Sequence, residues 1–250
     1  MTLKRLRRHW DVLGKKDPLW AVLASDDKRG NRWRVDEFFA TGQGEIAEVT
    51  KYVEALGLEL DHRNALDFGC GVGRLTQALA ERFEVVWGVD IAPSMIAQAK
   101  QYDRHPGTCH YILNERADLQ MFESASFGFI YSNIALQHIE PRYQRSYLRE
   151  FVRVLTPGGV LVFQLPSERI ERRSGTRGRF KQTVESITPP PIISAYKRIR
   201  WGRRALIKMW GMPRDEVTEL LRAEGATMLD VRVDRFAGAN WAGFRYTVTK

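Results

Sequence analysis

The sequence predicts an α/β protein built on a mostly parallel sheet with helices on both faces. Two observations carry this. Short, nearly continuous apolar runs alternate with segments of helical periodicity between residues 64 and 165, and again between 214 and 249. The first of these runs ends in a glycine-rich turn that opens a helix. Strands buried on both faces read as continuous apolar runs, and their regular exchange with helices is the mark of a parallel sheet.

Residues 1–42 are polar, basic and aromatic, and read as short helices and loops. Ile46, Val49, Tyr52, Val53 and Leu56 recur at helical spacing, which predicts a helix over Glu45–Leu58. Asn64–Phe68 is a buried strand, Arg74–Arg82 a helix with Leu75, Leu79 and Ala80 inward, and Glu84–Asp90 a strand ending in a carboxylate. A proline in the first turn opens a helix over Pro93–Tyr102. Tyr111–Asn114 and Phe127–Asn133 are the next strands, and Pro141–Leu155 is a helix bearing Tyr147, Leu148, Phe151 and Val152. Gly158 and Gly159 turn the chain into a fifth strand, Val160–Leu165. Glu168–Met212 breaks the rhythm with a basic loop, three consecutive prolines and a basic amphipathic helix over Ile192–Trp210. A helix over Arg214–Glu224 and strands over Thr227–Asp234 and Phe244–Thr249 resume it.

The 250 residues, 44% hydrophobic, suit one domain with built-on elements. No apolar run approaches the ~18 residues of a membrane span. The first ten residues are basic with no apolar stretch behind them, so no signal peptide is expected. Cys70 and Cys109 are the only cysteines, which excludes a disulfide framework and a four-cysteine zinc site and fits the reducing cytoplasm. The net charge of +9 is uneven: Glu168–Met212 holds twelve Lys/Arg against three Asp/Glu, and Met1–Arg34 ten against four, leaving the remainder mildly acidic. Basic stretches of this kind concentrate anionic partners.

The chemistry centres on Asp67-Phe68-Gly69-Cys70-Gly71-Val72-Gly73. A strand, closely spaced glycines and a helix N-terminus make a backbone cradle that a ligand can approach closely. In open parallel sheets such ligands sit at the carboxyl ends of the strands, near the point where strand order reverses. Asp90 ends the next strand, 23 residues after Asp67, where a carboxylate can accept from both hydroxyls of a ribose. The third glycine follows the second by two residues, so the dinucleotide pattern of the nicotinamide enzymes is not met, and no Gly-Lys-Ser/Thr follows, so this is no P-loop.

The pattern resembles class I, Rossmann-like S-adenosylmethionine-dependent methyltransferases of the type 11 kind. The resemblance runs from Ala65 through Thr76 and continues at Gly88–Met95, Arg116–Leu119, Ile130–Asn133 and Arg153–Gly159, in the family's order. It implies a doubly wound, seven-stranded sheet, mostly parallel with the last strand antiparallel. To this are added an N-terminal helical segment and a basic insert after the fifth strand. It implies one domain over residues 1–250: an N-terminal lid segment at 1–44, a cofactor-binding core at 45–167, a basic cap insert at 168–212 and a closing helix and strands at 213–250. It implies that Asp67, Gly69, Cys70 and Gly71 surround the methionine part and ribose of S-adenosylmethionine. Asp90 then holds the ribose hydroxyls, Ile91 packs on adenine, Asp118 meets the adenine amino group with Leu119 beside it, and Asn133 and Ile134 close the floor near the sulfonium. The segment before the first sheet-packing helix folds over the pocket in this family, which puts forward Phe39, Thr41 and Gly42 for cofactor contact. Packing of the two phenylalanines on the sheet is the equal alternative. Gly14–Leu23 resembles the N-termini of methyltransferases of glycan assembly, which implies a saccharide acceptor.

Transfer of a methyl group from a sulfonium is an in-line displacement, so the protein supplies alignment and, for a hydroxyl acceptor, a base. His138, just past the fourth strand, is the candidate base; it has an equal reading as a residue that shapes the pocket. No His/Asp/Glu cluster has metal-ligand spacing, so no metal is expected. The expected reaction is methyl transfer to an oxygen of a small-molecule or saccharide acceptor, one that the basic insert would suit if anionic. The insert reads as a lid, as a helix on the anionic inner face of a membrane, or as a plain solvated helix. The charge also admits an RNA or other nucleic-acid methyltransferase. Ser132-Asn133-Ile134-Ala135 stands where base-amine methyltransferases carry Asn/Asp-Pro-Pro-Tyr/Phe, and no RNA-binding module is visible, so nucleic acid is disfavoured. A catalytically silent, anion-binding scaffold is the non-enzyme alternative. The sequence is silent on oligomeric state.

Overall fold

The computed structural model describes residues 1–170 and 208–250. The seven helices named here are α1 (Leu3–Lys16), α2 (Pro18–Val22), α3 (Val35–Ala55), α4 (Arg74–Ala80), α5 (Pro93–Tyr102), α6 (Pro141–Val154) and α7 (Arg214–Ala223). The strands are β1 (Asn64–Phe68), β2 (Val85–Asp90), β3 (Cys109–Leu113), β4 (Phe127–Ser132), β5 (Leu155–Arg169), β6 (Thr227–Asp234) and β7 (Trp241–Thr249). The expected basic helix over Ile192–Trp210 lies, but for its last three residues, outside the described residues.

The seven strands form one sheet in the order β3-β2-β1-β4-β5-β7-β6. β7 runs antiparallel to β5 and β6, and the other pairings are parallel. Chain order reverses between β1 and β4, which places the loop after β1 at the point where such sheets bind ligands.

Alternate side chains on the central strands feed two cores. Leu66, Ile130, Leu161, Phe163 and Leu165 face α6 and α7 with Leu148, Phe151, Val217 and Leu221, while Ala65, Phe129, Tyr131, Val160 and Val162 face α3 and α4 with Ile46, Val49, Val53 and Leu79. Each fully buried Leu, Val or Phe contributes about 1.5–3 kcal/mol. The fourth and fifth strands read as continuous apolar runs because both of their faces are covered.

β5 runs from Leu155 to Arg169 where a turn at Gly158 and Gly159 and a strand over Val160–Leu165 were expected, and two helices differ more. The helix expected from Glu45 begins at Val35: Phe38 and Phe39 extend its buried stripe upstream, and Asp36 and Glu37 occupy the first turn, where carboxylates favour a helix. Residues 3–16 form one helix of four turns rather than short pieces. Thr2 caps it by accepting from the Arg5 N–H at 3.3 Å. α1 is tied down at its far side, where the Ser94 N–H donates to Asp11 Oδ1 at 3.0 Å and the Ser94 hydroxyl donates to the Asp11 carbonyl at 2.9 Å. No helix among the described residues is long and apolar enough to cross a membrane.

Candidate active site

The carboxyl ends of β1, β2 and β4 open into one cavity, which α1 and α2 cover. β1 turns at Gly69, whose φ of +80° lies in the left-handed region, and a Cβ added there would stand 2.2 Å from the Cβ of Ala135. Glycine is what lets this loop pack against the segment after β4. At Gly71, with φ +54°, an added Cβ would stand 2.5 Å from Val22 Cγ2, so α2 closes on the loop from the other side.

The loop is also tied to the end of β2. The Gly71 N–H donates to Asp90 Oδ2 at 3.0 Å and the Ala92 N–H donates to Oδ1 at 2.8 Å. Burial nonetheless raises the Asp90 carboxyl to about 6. Ile91 and Met95 add an apolar wall next to it. Cys70 lines the cavity too, but burial holds its thiol well above the ordinary value, so it stays protonated and makes a poor nucleophile.

Arg74, the first residue of α4, also reaches the cavity wall. Its Nη2 donates to Glu45 Oε2 at 2.8 Å, and Glu45 Oε1 accepts from the Tyr131 hydroxyl at 2.8 Å and from Asn133 Nδ2 at 2.6 Å. This network fixes the Asn133 amide and leaves its Oδ1 buried without a partner among the described residues. Ile134 follows with φ +61°, a left-handed conformation that costs a β-branched residue about 1–3 kcal/mol.

At the other end of the cavity, Leu3, Leu6 and Trp10 of α1 descend on His138, which sits in a 3-10 turn over Leu136–His138. The Trp10 and His138 rings meet edge to face, with centroids 5.1 Å apart. Gln137 Nε2 lies 3.3 Å from His138 Nε2. Burial pulls the imidazole down to about 4, so it is neutral at physiological pH.

Of the residues put forward from the sequence, Gly69, Cys70, Gly71, Asp90, Ile91, Asn133, Ile134 and His138 line this cavity, while Asp67, Asp118, Leu119, Phe39, Thr41 and Gly42 do not. The Asp67 carboxylate turns to α4 and accepts from the Thr76 hydroxyl at 2.6 Å; its Oδ1 has no partner among the described residues, and burial raises its pKa to about 7. Asp118 pairs with Arg116 at 2.9 Å, which holds its carboxyl low, and Leu119 belongs to the core. Asn114 stands in the wall nearby and donates to the Asp118 carbonyl at 2.8 Å. Because α3 is continuous, Phe39 packs on Tyr102 with centroids 5.8 Å apart, the Thr41 hydroxyl donates to the Phe38 carbonyl at 2.6 Å, and Gly42 lies against the Arg74 backbone. The covering role expected of that segment falls to α1 and α2. The signal for it was present: Leu3, Leu6 and Trp10 are spaced i, i+3, i+7. Among the described residues no group of His, Cys, Asp and Glu is arranged to hold a metal ion.

Comparison with known proteins agrees with this geometry. Residues 66–163 match the family model described as "Methyltransferase domain". The chain is 34% identical over 137 residues to trans-aconitate 2-methyltransferase of Deinococcus radiodurans, covering 54% of this chain and 50% of that protein. It is 32% identical over 111 residues to carboxy-S-adenosyl-L-methionine synthase of Chromohalobacter salexigens, covering 41% of each. The match thus spans half or less of these relatives' length. The fold is also similar to that of magnesium protoporphyrin IX methyltransferase from Synechocystis PCC 6803, solved with bound SAH, with a TM-score of 0.64 at 14% identity over 99% of both chains. Residues 66–163 thus carry the methyltransferase domain, and the sheet order and glycine loop are those of the class I, Rossmann-like methyltransferase fold.

Proposed function

We propose that the protein transfers the methyl group of S-adenosylmethionine to an oxygen of a small-molecule acceptor, with saccharides in the candidate range. The observation that carries this reading is the single cavity that joins the glycine loop and Asp90 at one end to His138 at the other. The residues present fit the cofactor. The left-handed glycines leave backbone open to close approach, Asp90 offers a carboxylate at the strand end, Ile91 and Met95 give an apolar slot for a base, and Asn133 Oδ1 is a buried acceptor without a partner. When bound, the sulfonium supplies an activated methyl group. The protein's own share is to align the acceptor, to exclude water with Leu3, Leu6 and Trp10, and to orient it through the His138 turn. The relative named for trans-aconitate, a polycarboxylic acid, supports an oxygen acceptor.

Calorimetry with S-adenosylmethionine is the first test, and absence of binding at millimolar cofactor would remove the proposal. A turnover screen over sugars, sugar phosphates, short oligosaccharides and small acids, with and without magnesium, then identifies the acceptor. His138→Ala or Asn should abolish turnover and spare cofactor binding if the ring is the base; near-normal turnover would exclude that role.

A further inference from the structure

We propose that Arg74 and Asn133 receive the amino-acid end of the cofactor, Arg74 its carboxylate and Asn133 its ammonium, with Glu45 as the positioning residue that frees the Asn133 oxygen for this role. This rests on the methyltransferase reading above. Arg74 and Asn133 both stand in the wall of the cavity that holds the glycine loop, and they are only 3% and 7% exposed. Each keeps one buried polar atom without a partner among the described residues, Nε of Arg74 and Oδ1 of Asn133. Buried polar atoms in native proteins are nearly always paired, so two in one cavity wall call for a bound group that pairs with them.

Glu45 brings the two residues together. Its Oε2 accepts from Arg74 Nη2 at 2.8 Å and its Oε1 from Asn133 Nδ2 at 2.6 Å, so both side chains flank a single carboxylate. Glu45 does not line the cavity itself and acts through the two residues that do. A carboxylate beside a guanidinium only accepts, so it takes the NH2 side of the Asn133 amide and leaves the oxygen free. The Tyr131 hydroxyl donates to the same Oε1 at 2.8 Å and holds the carboxylate in place. On the other side, Arg74 Nη2 is taken by Glu45 and Nη1 donates to the Thr41 hydroxyl at 3.4 Å, which leaves Nε as the unpaired donor.

The free atoms state what they bind. A guanidinium N–H donates and carries charge, which suits a carboxylate, and an amide oxygen accepts, which suits an ammonium. An amino acid carries both groups on one carbon, and S-adenosylmethionine ends in one. The place in the fold agrees. Arg74 directly follows Gly73 of the glycine loop. Asn133 directly follows β4, whose Ser132 hydroxyl donates to the Phe68 carbonyl at 3.0 Å and ties that strand end to the start of the same loop. The next residue, Ile134, holds φ +61°, a strain of the kind that clusters at ligand sites. An ion pair that merely joined α3 to α4 would account for Glu45 and Arg74, but not for the unpaired Asn133 oxygen or the strained residue beside it.

The experiment is calorimetry on the full chain with three ligands: S-adenosylhomocysteine, its decarboxylated analogue and its deaminated analogue. The parent chain should bind each analogue about tenfold to a hundredfold more weakly than S-adenosylhomocysteine, as expected for loss of a hydrogen bond to a charged group. Arg74→Met with Glu45→Gln leaves no stranded charge and keeps an acceptor for the Asn133 amide. It should lose the preference for the carboxylate and keep the preference for the amino group. Asn133→Ala should do the reverse. Arg74→Met with Glu45→Ala removes that acceptor as well and should lose both preferences, which isolates the positioning role of Glu45. If the first double variant does not melt cooperatively, Arg74→Lys, which keeps a cation for Glu45 and lacks Nε, reads the same carboxylate preference. Each preference is a ratio measured within one protein, so a purely structural role would weaken all three ligands equally and leave it unchanged. That result, or a parent chain that binds the analogues as tightly as S-adenosylhomocysteine, would overturn the assignment alone. Failure of the parent chain to bind S-adenosylhomocysteine would defeat the methyltransferase reading itself.

Discussion

Trp10 of α1 stands edge-on to His138, with ring centroids 5.1 Å apart and ring planes at 61°. The contact joins the first helix of the chain to the turn after β4 and completes the burial of the imidazole. Burial is the largest cause of the low His138 pKa, so removing the indole should undo it. In Trp10→Ala, an NMR titration should find the His138 ring climbing from about 4 toward its ordinary 6.5. An unchanged titration would mean that the rest of the pocket, and not Trp10, keeps the ring dry. The same shift has a stability consequence. Between pH 4 and 6.5 the unfolded chain binds the His138 proton and the folded chain does not, so stability contributed by this group rises with pH and is lost on acidification. The full difference is on the order of 3 kcal/mol.

Asp67 works in the opposite direction. Its carboxyl titrates near 7 in the fold and near 3.8 when exposed, so the folded state holds the proton more tightly, and stability from this group is lost as pH rises from 3.8 to 7. Asp67→Asn keeps the shape and a partner for the Thr76 hydroxyl while removing the charge. Thermal melts should coincide with the parent below pH 4. Above pH 7 the variant should be more stable by about 1–3 kcal/mol, roughly 3–10 °C in Tm. A variant less stable at pH 8 would show that the ionised carboxylate has a compensating partner.

Arg74 and Glu45 form a buried ion pair at 2.8 Å, with side chains 3% and 9% exposed. Removing one member strands a buried charge, which costs about 3–5 kcal/mol, whereas replacing both by neutral groups costs much less. Arg74→Met should therefore destabilise strongly in urea melts, and Arg74→Met with Glu45→Gln should recover more than half of that loss. Additivity within about 0.5 kcal/mol would show that the two side chains act independently.

These residues mark where sequence reasoning reached and where it stopped. The glycine loop and the Asp90 strand end were legible because each is local, a strand, a turn and a helix start with the residue types that the geometry demands, whereas Asn133 and Ile134, which line the same cavity, were reached only through the family resemblance. The sheet was legible for the same reason, since both faces of its central strands are apolar. The cover over the cavity was legible in part: a lid was expected within residues 1–44, and Leu3, Leu6 and Trp10 share one helical face, but the contacts were assigned to Phe39, Thr41 and Gly42 instead of α1, which is otherwise basic and polar. The continuity of α3 through Gly42 and Gly44 was hidden too, because glycine lowers helix propensity and the packing of Phe38, Phe39 and Ile46 overrides it. The resemblance put the Asp118 carboxylate toward the cofactor, whereas in the structure it pairs with Arg116 two residues away.

Gly69 offers the sharpest test of the loop itself, because two separate effects forbid a side chain there. Its φ of +80° disfavours any L-residue by about 1–2 kcal/mol, and an added Cβ would stand 2.2 Å from the Cβ of Ala135. Gly69→Ala should lower cofactor affinity in calorimetry at least tenfold, since the loop must move away from the segment that carries Asn133 and Ile134. Ala135→Gly removes the opposing methyl and therefore the steric part alone. The double variant should regain part of the affinity but not all of it, the remainder being the cost of the left-handed conformation. Full recovery would mean that backbone strain at Gly69 is negligible. No recovery would mean that the loop is held by φ alone and that the contact with Ala135 is incidental.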